Sequence, residues 1–224
     1  MRIDIISAVP ESMQSMLDAS IIGNAQKRGI VEIYLHNIHN YALDKFKHID
    51  DYPFGGDAGM LIKCQPVFDC IEKLKSERHY DEIIFMTPDA KILTQSESNR
   101  LSLLDNIIIL AGHYKGIDQR IRDVLVTSEL SIGDYVLTGG ELPTLVLVDS
   151  IIRLIPGVIG DSESALDDSF MDGLLESPQY TRPSDFRGYG VPEILLSGNH
   201  KLIEEWKQEQ SLIKTQKIRP DLLK

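Results

Sequence analysis

Cysteine and long apolar runs are scarce in this sequence. Cys64 and Cys70 are the two cysteines among 224 residues, and their spacing fits neither a zinc ribbon nor a redox Cys-x-x-Cys. Apolar runs such as Ile107–Ala111 are far shorter than the roughly 20 residues of a membrane helix. The first residues, Met1–Ile6, include an acid and no small-residue cleavage site, which predicts a strand and not a signal peptide. We therefore expect a reduced, cytoplasmic protein with no membrane span.

Basic residues are outnumbered by acidic ones. The chain has 23 Lys and Arg against 34 Asp and Glu, a net charge of −11, which taken alone argues against a nucleic-acid partner. The excess is uneven, because residues 197–224 carry six basic and four acidic side chains (+2) and residues 1–196 carry seventeen and thirty (−13). The basic tail indicates either a nucleic-acid contact or a solvated helix face, and charge alone favours the solvated face.

Short runs rich in isoleucine and valine alternate with helical patterns. The predicted strands are Ile3–Ser7, Val31–Leu35, Glu82–Met86, Ile107–Ala111 and Leu125–Leu130. The predicted helices are Pro10–Arg28, Pro66–Arg78, Thr94–Leu104, Ile117–Asp123 and Glu141–Leu154. This alternation predicts an α/β fold with a parallel sheet.

Composition changes after this half of the chain. Residues 157–190 are rich in Gly, Ser, Asp and Pro, which is typical of a long linker or a functional loop. A helix is predicted over His200–Gln210, followed by a second short helix before Pro220. We predict an α/β domain over 1–160, a flexible interdomain loop over 161–178 and a small helical domain over 179–224.

Three glycine-containing loops are candidates for ligand binding. They are Pro53–Gly59, Gly112–Asp118 and Ile132–Glu141, and none matches a dinucleotide-binding or a Walker motif. The second and third follow predicted strands, and ligands of parallel sheets bind beyond the carboxyl ends of strands. These two loops therefore predict a pocket in which glycines such as Gly140 let a ligand approach the backbone, although ordinary turns explain the glycines equally well.

Other polar residues have plain structural explanations. Arg153 ends an apolar helix and suits a helix C-terminus, and Asp168 precedes Ser169 as a helix cap would. The pair His36 and His39 has no carboxylate or cysteine cluster beside it, so no metal site is predicted. Residue types and spacing alone therefore leave the chemistry open.

The third loop carries a specific resemblance. Ser131–Pro143, SIGDYVLTGGELP, resembles the signature of the bacterial tRNA (guanine-N1-)-methyltransferase (TrmD) family. Further matches follow in the family's order: Pro53–Met60, Gly116–Arg120, Ile155–Val158, Asp168–Phe170, Gly173–Leu175, Tyr180–Pro183, Val191–Glu193, Leu196–His200, Gln210–Leu212 and Arg219–Leu222. The resemblance thus spans nearly the whole chain.

The resemblance implies a SPOUT-class fold, in which the parallel sheet carries a deep C-terminal trefoil knot and a small helical domain binds tRNA. It implies a homodimer with the active site at the interface. It implies transfer of a methyl group from S-adenosylmethionine to N1 of the guanosine 3′ to the tRNA anticodon, position 37, which maintains the reading frame. A catalytically silent RNA- or nucleotide-binding module on the same fold is the alternative, and retention of both Asp168 and Arg153 favours the enzyme.

The family's functional residues are carried over position by position. Asp168 is implied as the general base, Arg153 as its partner, and Ser164 and Arg182 as contacts to the target base. The implied cofactor-binding residues are Phe85, Met86, Thr87, Pro88, Gly112, Tyr114, Ile132, Gly133, Tyr135, Leu137, Gly139, Gly140 and Pro143.

The chain departs from the family pattern at four positions close to these residues in the sequence. His113 and Lys115 stand where the family usually has Arg and Glu, Gln179 where it often has His, and Asp57 where it has Gly. The family's magnesium dependence is tied to acids near the cofactor, so Lys115 leaves the use of Mg²⁺ open. Lys115 also adds a cation beside a cationic sulfonium, which is expected to weaken cofactor binding unless a carboxylate screens it.

Overall fold

The structure is a computed structural model that describes residues 1–159, 169–170 and 173–223. The chain divides into two compact units, Met1–Gly160 and Asp161–Lys224. Two residues implied in catalysis and substrate binding, Asp168 and Ser164, lie outside the described residues.

A parallel sheet forms the centre of the first unit. The strands are β1 (Arg2–Ser7), β2 (Glu32–Asn37), β3 (Asp50–Asp51), β4 (Leu61–Ile62), β5 (Glu82–Ile92), β6 (Asn106–Ala111) and β7 (Ser128–Ser131). Five of them form the sheet in the order β2-β1-β6-β5-β7, and every pairing is parallel. The short β3 and β4 pair with each other in antiparallel fashion. The predicted α/β class with a parallel sheet is confirmed.

Helices cover both faces of this sheet. They are α1 (Glu11–Leu17), α2 (Ser20–Lys27), α3 (Cys64–Glu77), α4 (Gln95–Leu101), α5 (Gln119–Val124) and α6 (Glu141–Ile152). Successive side chains of a strand point to opposite faces, so Ile107 and Ile109 of β6 pack with α1, α2 and α6, while Ile108 and Leu110 pack with α3 and α5. The isoleucine-rich strands are therefore buried on both sides, as the sequence predicts.

The single helix predicted over Pro10–Arg28 is wrong, because α1 and α2 are separate helices. Ser20 has a φ of +50° where the chain turns between them. The turn brings Gly23 against the preceding backbone so closely that a Cβ there would lie 2.1 Å from the carbonyl oxygen of Asp18. Only glycine fits this contact, and its lack of a side chain gives no periodic signal.

Other predicted boundaries also differ by a few residues, and three of these differences have a physical reason. β5 does not end at Met86 but continues to Ile92 after a bulge, where its register with β7 shifts between Met86 and Lys91. β7 begins at Ser128 instead of Leu125. α5 begins two residues after Ile117, because Ile117 bridges to Ile62 and the side chain of Asp118 caps the helix at 2.9 Å from the Arg120 nitrogen.

The second unit contains more than helices. A β-hairpin of Asp185–Phe186 and Tyr189–Gly190 precedes the helix Glu193–Leu196 and the long helix His200–Ile218. The two helices predicted after residue 200 are therefore one. The buried hydroxyl of Thr215 in this helix donates to the Ser211 carbonyl oxygen at 2.7 Å and accepts from the Leu175 nitrogen at 2.9 Å. In the described part of the chain, no helix has the length and apolar character needed to cross a membrane.

Candidate active site

A pocket of about 290 Å³ opens at the carboxyl ends of β6 and β7 and beside the bulge of β5, which lies between Met86 and Lys91. Every residue implied as cofactor-binding lies in its wall: Phe85, Met86, Thr87, Pro88, Gly112, Tyr114, Ile132, Gly133, Tyr135, Leu137, Gly139, Gly140 and Pro143. The parallel strands produce this clustering, since their carboxyl ends meet at one edge of the sheet. The second and third glycine loops therefore do line one pocket.

The two glycine loops are joined backbone to backbone. The N–H of Gly140 donates to the carbonyl oxygen of Gly112 at 2.6 Å. A Cβ at Gly140 would lie 2.5 Å from the Gly112 nitrogen and 2.9 Å from the Cα of Ala111. Packing against the neighbouring loop therefore requires a glycine at position 140, and the role of Gly140 in ligand approach stays a prediction.

Glu141 holds the start of α6 at the pocket. Its Oε1 accepts from the hydroxyl of Ser7 at 2.7 Å, at the carboxyl end of β1. The buried Nδ1 of His113 lies 3.6 Å from the same oxygen, beyond hydrogen-bond distance, and has no hydrogen-bond partner among the described residues. A Cβ at Gly139 would lie 2.9 Å from this nitrogen, so the third glycine loop encloses it within the wall of the pocket.

Arg122 connects two strands in the wall of the pocket. Its guanidinium donates to both carboxylate oxygens of Glu129 at 2.6 Å and to Asp89 at 3.0 Å. Thr87 also donates to Asp89, and this hydrogen bond holds the pKa of Asp89 below its usual range. The guanidinium lies over the ring of Phe85, 5.6 Å from its centre. Arg122 thus fixes the segment of β5 that carries Thr87 and Pro88.

The Phe85 ring in turn touches the second glycine loop. A Cβ at Gly112 would lie 3.0 Å from Cε2 of this ring. Tyr114, in the same loop, has a φ of +59°, and burial raises its pKa. A chain of contacts therefore runs from Arg122 through Phe85 and Gly112 to Gly140.

A lysine lies in the pocket wall with an acid beside it. Nζ of Lys115 is 3.5 Å from Oδ2 of Asp57. The backbone of Lys115 also donates to the Met60 carbonyl oxygen at 3.0 Å. The first glycine loop is thus tied to the pocket, and the lysine charge has a carboxylate to screen it.

The comparisons with known proteins cover the whole chain. The sequence profile of the family described as tRNA (Guanine-1)-methyltransferase TrmD matches residues 1–224. The chain belongs to this methyltransferase family. Relatives named tRNA (guanine-N(1)-)-methyltransferase include a protein of Christiangramia forsetii, 58% identical over 223 residues that cover 100% of this chain and 99% of the relative. A protein of Chlorobium chlorochromatii is 56% identical, with 100% and 96% covered, and one of Bacteroides thetaiotaomicron is 56% identical, with 100% and 99% covered.

The structure does not bring all residues implied by the methyltransferase family together. Arg153 immediately follows α6, while Gly140 immediately precedes it. A helix of 12 residues is about 18 Å long, so Arg153 lies far from the pocket of its own chain. Arg182 is exposed in the second unit, and Ser164 and Asp168 lie outside the described residues.

Some residues of the pocket were missed by the sequence analysis. Leu61, Ile117, Asp89 and Arg122 line it. Leu61 belongs to β4, and Ile117 lies in the segment after Gly116 that pairs with β4. A strand as short as β4 leaves no periodic pattern in the sequence. The Arg122–Asp89 contact joins residues 33 positions apart, for which a single sequence gives no signal. Among the described residues, no group of three His, Cys, Asp or Glu side chains is placed to hold a metal ion.

Proposed function

We propose that this chain transfers the methyl group of S-adenosylmethionine to N1 of guanosine 37 in tRNA, in the cytoplasm. Two observations support the proposal. The family profile matches the entire chain, and the residues implied for the cofactor line one pocket. The alternative, a silent RNA- or nucleotide-binding module, is disfavoured because the sequence retains both Asp168 and Arg153.

The pocket suits a ligand with both apolar and polar parts. Phe85, Met86 and Leu137 offer apolar surface, and Thr87 and Thr138 add polar side chains to the wall. Backbone groups of the glycine loops supply further donors and acceptors. S-adenosylmethionine, when bound, supplies an electrophilic methyl group whose leaving group is neutral, so the protein needs chiefly to orient it.

Asp168 and Arg153 carry the proton and charge chemistry in this proposal. Guanine N1 bears a proton and is a poor nucleophile until that proton is removed. A carboxylate that accepts this proton raises the rate of methyl transfer by about 10²–10⁴-fold. Negative charge then develops on O6, where a guanidinium donates charge-assisted hydrogen bonds. Ser164 and Arg182 contact the target base.

We infer that the active site is shared between two copies of the chain. α6 separates Arg153 from Gly140 by about 18 Å, so Arg153 does not reach the pocket of its own chain. In a two-fold dimer, the partner chain supplies Arg153 to this pocket. Leu142 and Val146, one helical turn apart, are 60% and 46% exposed on α6. An apolar stripe beside the pocket supports coverage by a second copy.

The remaining parts of the proposal concern the fold and the RNA. The path from β7 past Gly112 into α6 forms the trefoil knot, and the chain after residue 178 binds tRNA. Lys201, Lys207 and Lys217 contact phosphates and give a salt-sensitive affinity. Lys214 has an internal role, since its Nζ donates to the Glu176 carbonyl oxygen at 2.8 Å.

The first experiment separates catalysis from cofactor binding. Asp168→Asn keeps the shape of the side chain and removes its ability to accept a proton. Calorimetry with S-adenosylmethionine is expected to give wild-type affinity, while methyl transfer to tRNA falls about 10²-fold or more. Near-normal turnover in this variant contradicts the assignment of the base.

The second experiment tests the shared site. One variant carries Asp168→Asn and the other Leu137→Trp, which fills the pocket from a position that is 38% exposed. Each homodimer is expected to be inert. After co-expression half of the dimers are mixed, and one of their two sites joins an intact pocket to an intact Asp168. Activity is then expected to return to about a quarter of wild type. A verified mixed dimer without recovery shows instead that each site is built within one subunit.

A further inference from the structure

The hairpin of the second unit presents two aromatic rings on one face. Phe186 and Tyr189 are direct cross-strand partners in its antiparallel pair, and such partners have side chains on the same side. Phe186 is 58% exposed and Tyr189 is 81% exposed. Burial of these rings therefore does not explain why they are aromatic.

The turn of this hairpin holds an arginine in an unfavourable backbone conformation. Arg187 has a φ of +57° and Gly188 a φ of +84°. Two central residues with positive φ define a type I′ turn, which favours Asn-Gly. A long side chain in the left-handed region indicates that the side chain itself has a role. The guanidinium of Arg187 lies over the Phe186 ring, 5.1 Å from its centre.

We propose that Phe186, Tyr189 and Arg187 form a stacking platform for unpaired bases of the tRNA substrate. Proteins read single-stranded RNA loops by stacking bases on aromatic rings and on guanidinium planes. The positive charge at the tip complements the RNA backbone, which favours RNA over an uncharged protein surface as the occupant. This inference rests on the proposed function, because it assigns a contact to that enzyme's substrate.

The test uses variants that preserve the hairpin. The double variant Phe186→Thr/Tyr189→Thr removes both rings and keeps residues that suit a strand. Arg187→Asn removes the guanidinium and places a preferred residue in the turn. Leu103→Thr is the control, since Leu103 is 84% exposed. It lies before the amino end of β6, whereas the pocket lies at the carboxyl end of that strand. Each is measured for affinity to a tRNA transcript and to S-adenosylmethionine, and for oligomeric state.

The double variant is expected to bind tRNA about tenfold more weakly and Arg187→Asn several-fold more weakly, with S-adenosylmethionine affinity unchanged. Because stacking releases few counterions, the salt dependence of the double variant is expected to match that of wild type. Unchanged tRNA affinity in both variants overturns the platform. A change in cofactor affinity or oligomeric state also overturns it, because the rings then contact protein. Wild-type protein without tRNA affinity refutes the proposed function itself, and the platform with it.

Discussion

The backbone N–H of Gly140 donates a hydrogen bond of 2.6 Å to the carbonyl oxygen of Gly112. This bond joins the loop after β7 to the loop after β6, and both loops form the pocket wall. The pocket therefore depends on close packing between two loops as well as on the residues that face the ligand.

Gly140→Ala tests this packing. Its Cβ would lie 2.5 Å from the Gly112 nitrogen, so the loops must separate. We expect affinity for S-adenosylmethionine to fall at least about tenfold and the melting temperature to fall. Gly190→Ala is the matched control, because a Cβ at Gly190 has no neighbour within 4 Å. Calorimetry and thermal unfolding on both variants decide the matter, and equal affinities contradict the account.

Arg122→Met tests the contact between the two strands in the pocket wall. It removes the hydrogen bonds to Glu129 and Asp89 and releases the Thr87–Pro88 segment, so we expect several-fold weaker binding of S-adenosylmethionine. The control is Arg120→Met on the same helix, since Arg120 is 69% exposed and pairs with the nearby Asp118.

Cofactor affinity for the Arg122 and Arg120 variants is measured well below their melting temperatures, so that lower stability alone does not change it. Arg122→Lys retains the charge without the bidentate geometry and is expected to be intermediate. If Arg122→Met melts earlier yet binds the cofactor as wild type does, Arg122 only stabilises the fold.

Lys115 and Asp57 make opposite contributions to cofactor charge selectivity. We compare S-adenosylmethionine, a sulfonium cation, with S-adenosylhomocysteine, its uncharged product. Asp57→Asn leaves the Lys115 charge unscreened and is expected to lower the preference for the cation about two- to threefold, and Lys115→Gln is expected to raise it. The effects are expected to shrink in high salt. Identical ratios in all three proteins contradict an electrostatic role for this pair.

Asp4 makes stability depend on pH in the acid range. It is fully buried in β1 and accepts hydrogen bonds from Tyr80 and His36 at 2.8 Å and from Arg2 at 2.7 Å. Burial alone would raise its pKa, but these hydrogen bonds outweigh burial and lower the pKa to about 2. The carboxylate therefore stabilises the fold above the unfolded pKa of about 3.9, and this contribution is lost as pH falls towards 2.

Asp4→Asn is the variant that isolates this effect. At pH 7 it is expected to lower the free energy of unfolding by roughly 2–4 kcal/mol, because it leaves Arg2 without its charged partner. Denaturant unfolding of both proteins from pH 7 to pH 2 is the measurement. The difference between them is expected to be constant above about pH 5 and to narrow between pH 4 and 2. A difference that does not change with pH shows that Asp4 is not ionised in the folded protein.

The sheet was predictable because its signal is local. Ile107, Ile108 and Ile109 are apolar on both faces of one strand, and this run requires burial on both sides. The pocket position follows from the same observation, since loops after parallel strands share an edge. The identities of the cofactor residues came from the resemblance of Ser131–Pro143 to a known family, and spacing alone left them open.

The remainder depends on contacts between distant segments. Gly23 looks like an ordinary helical residue until the carbonyl of Asp18 is placed beside it, and the sequence does not show that Gly140 packs against Gly112. The pairing of Arg122 with Asp89 depends on a bulge in β5, and the apolar run ends at this bulge, so the sequence does not show that the strand continues. Sequence periodicity reports burial, and it does not report which distant backbone fills a given space.

The most direct test of the proposed activity is methyl transfer by the wild-type chain to two tRNA transcripts that differ only in guanosine or adenosine at position 37. Label from S-adenosylmethionine is expected to enter only the guanosine transcript. Reverse transcription is expected to stop at position 37, because a methyl group at N1 blocks base pairing. Equal labelling of both transcripts, or a stop at another position, contradicts the account.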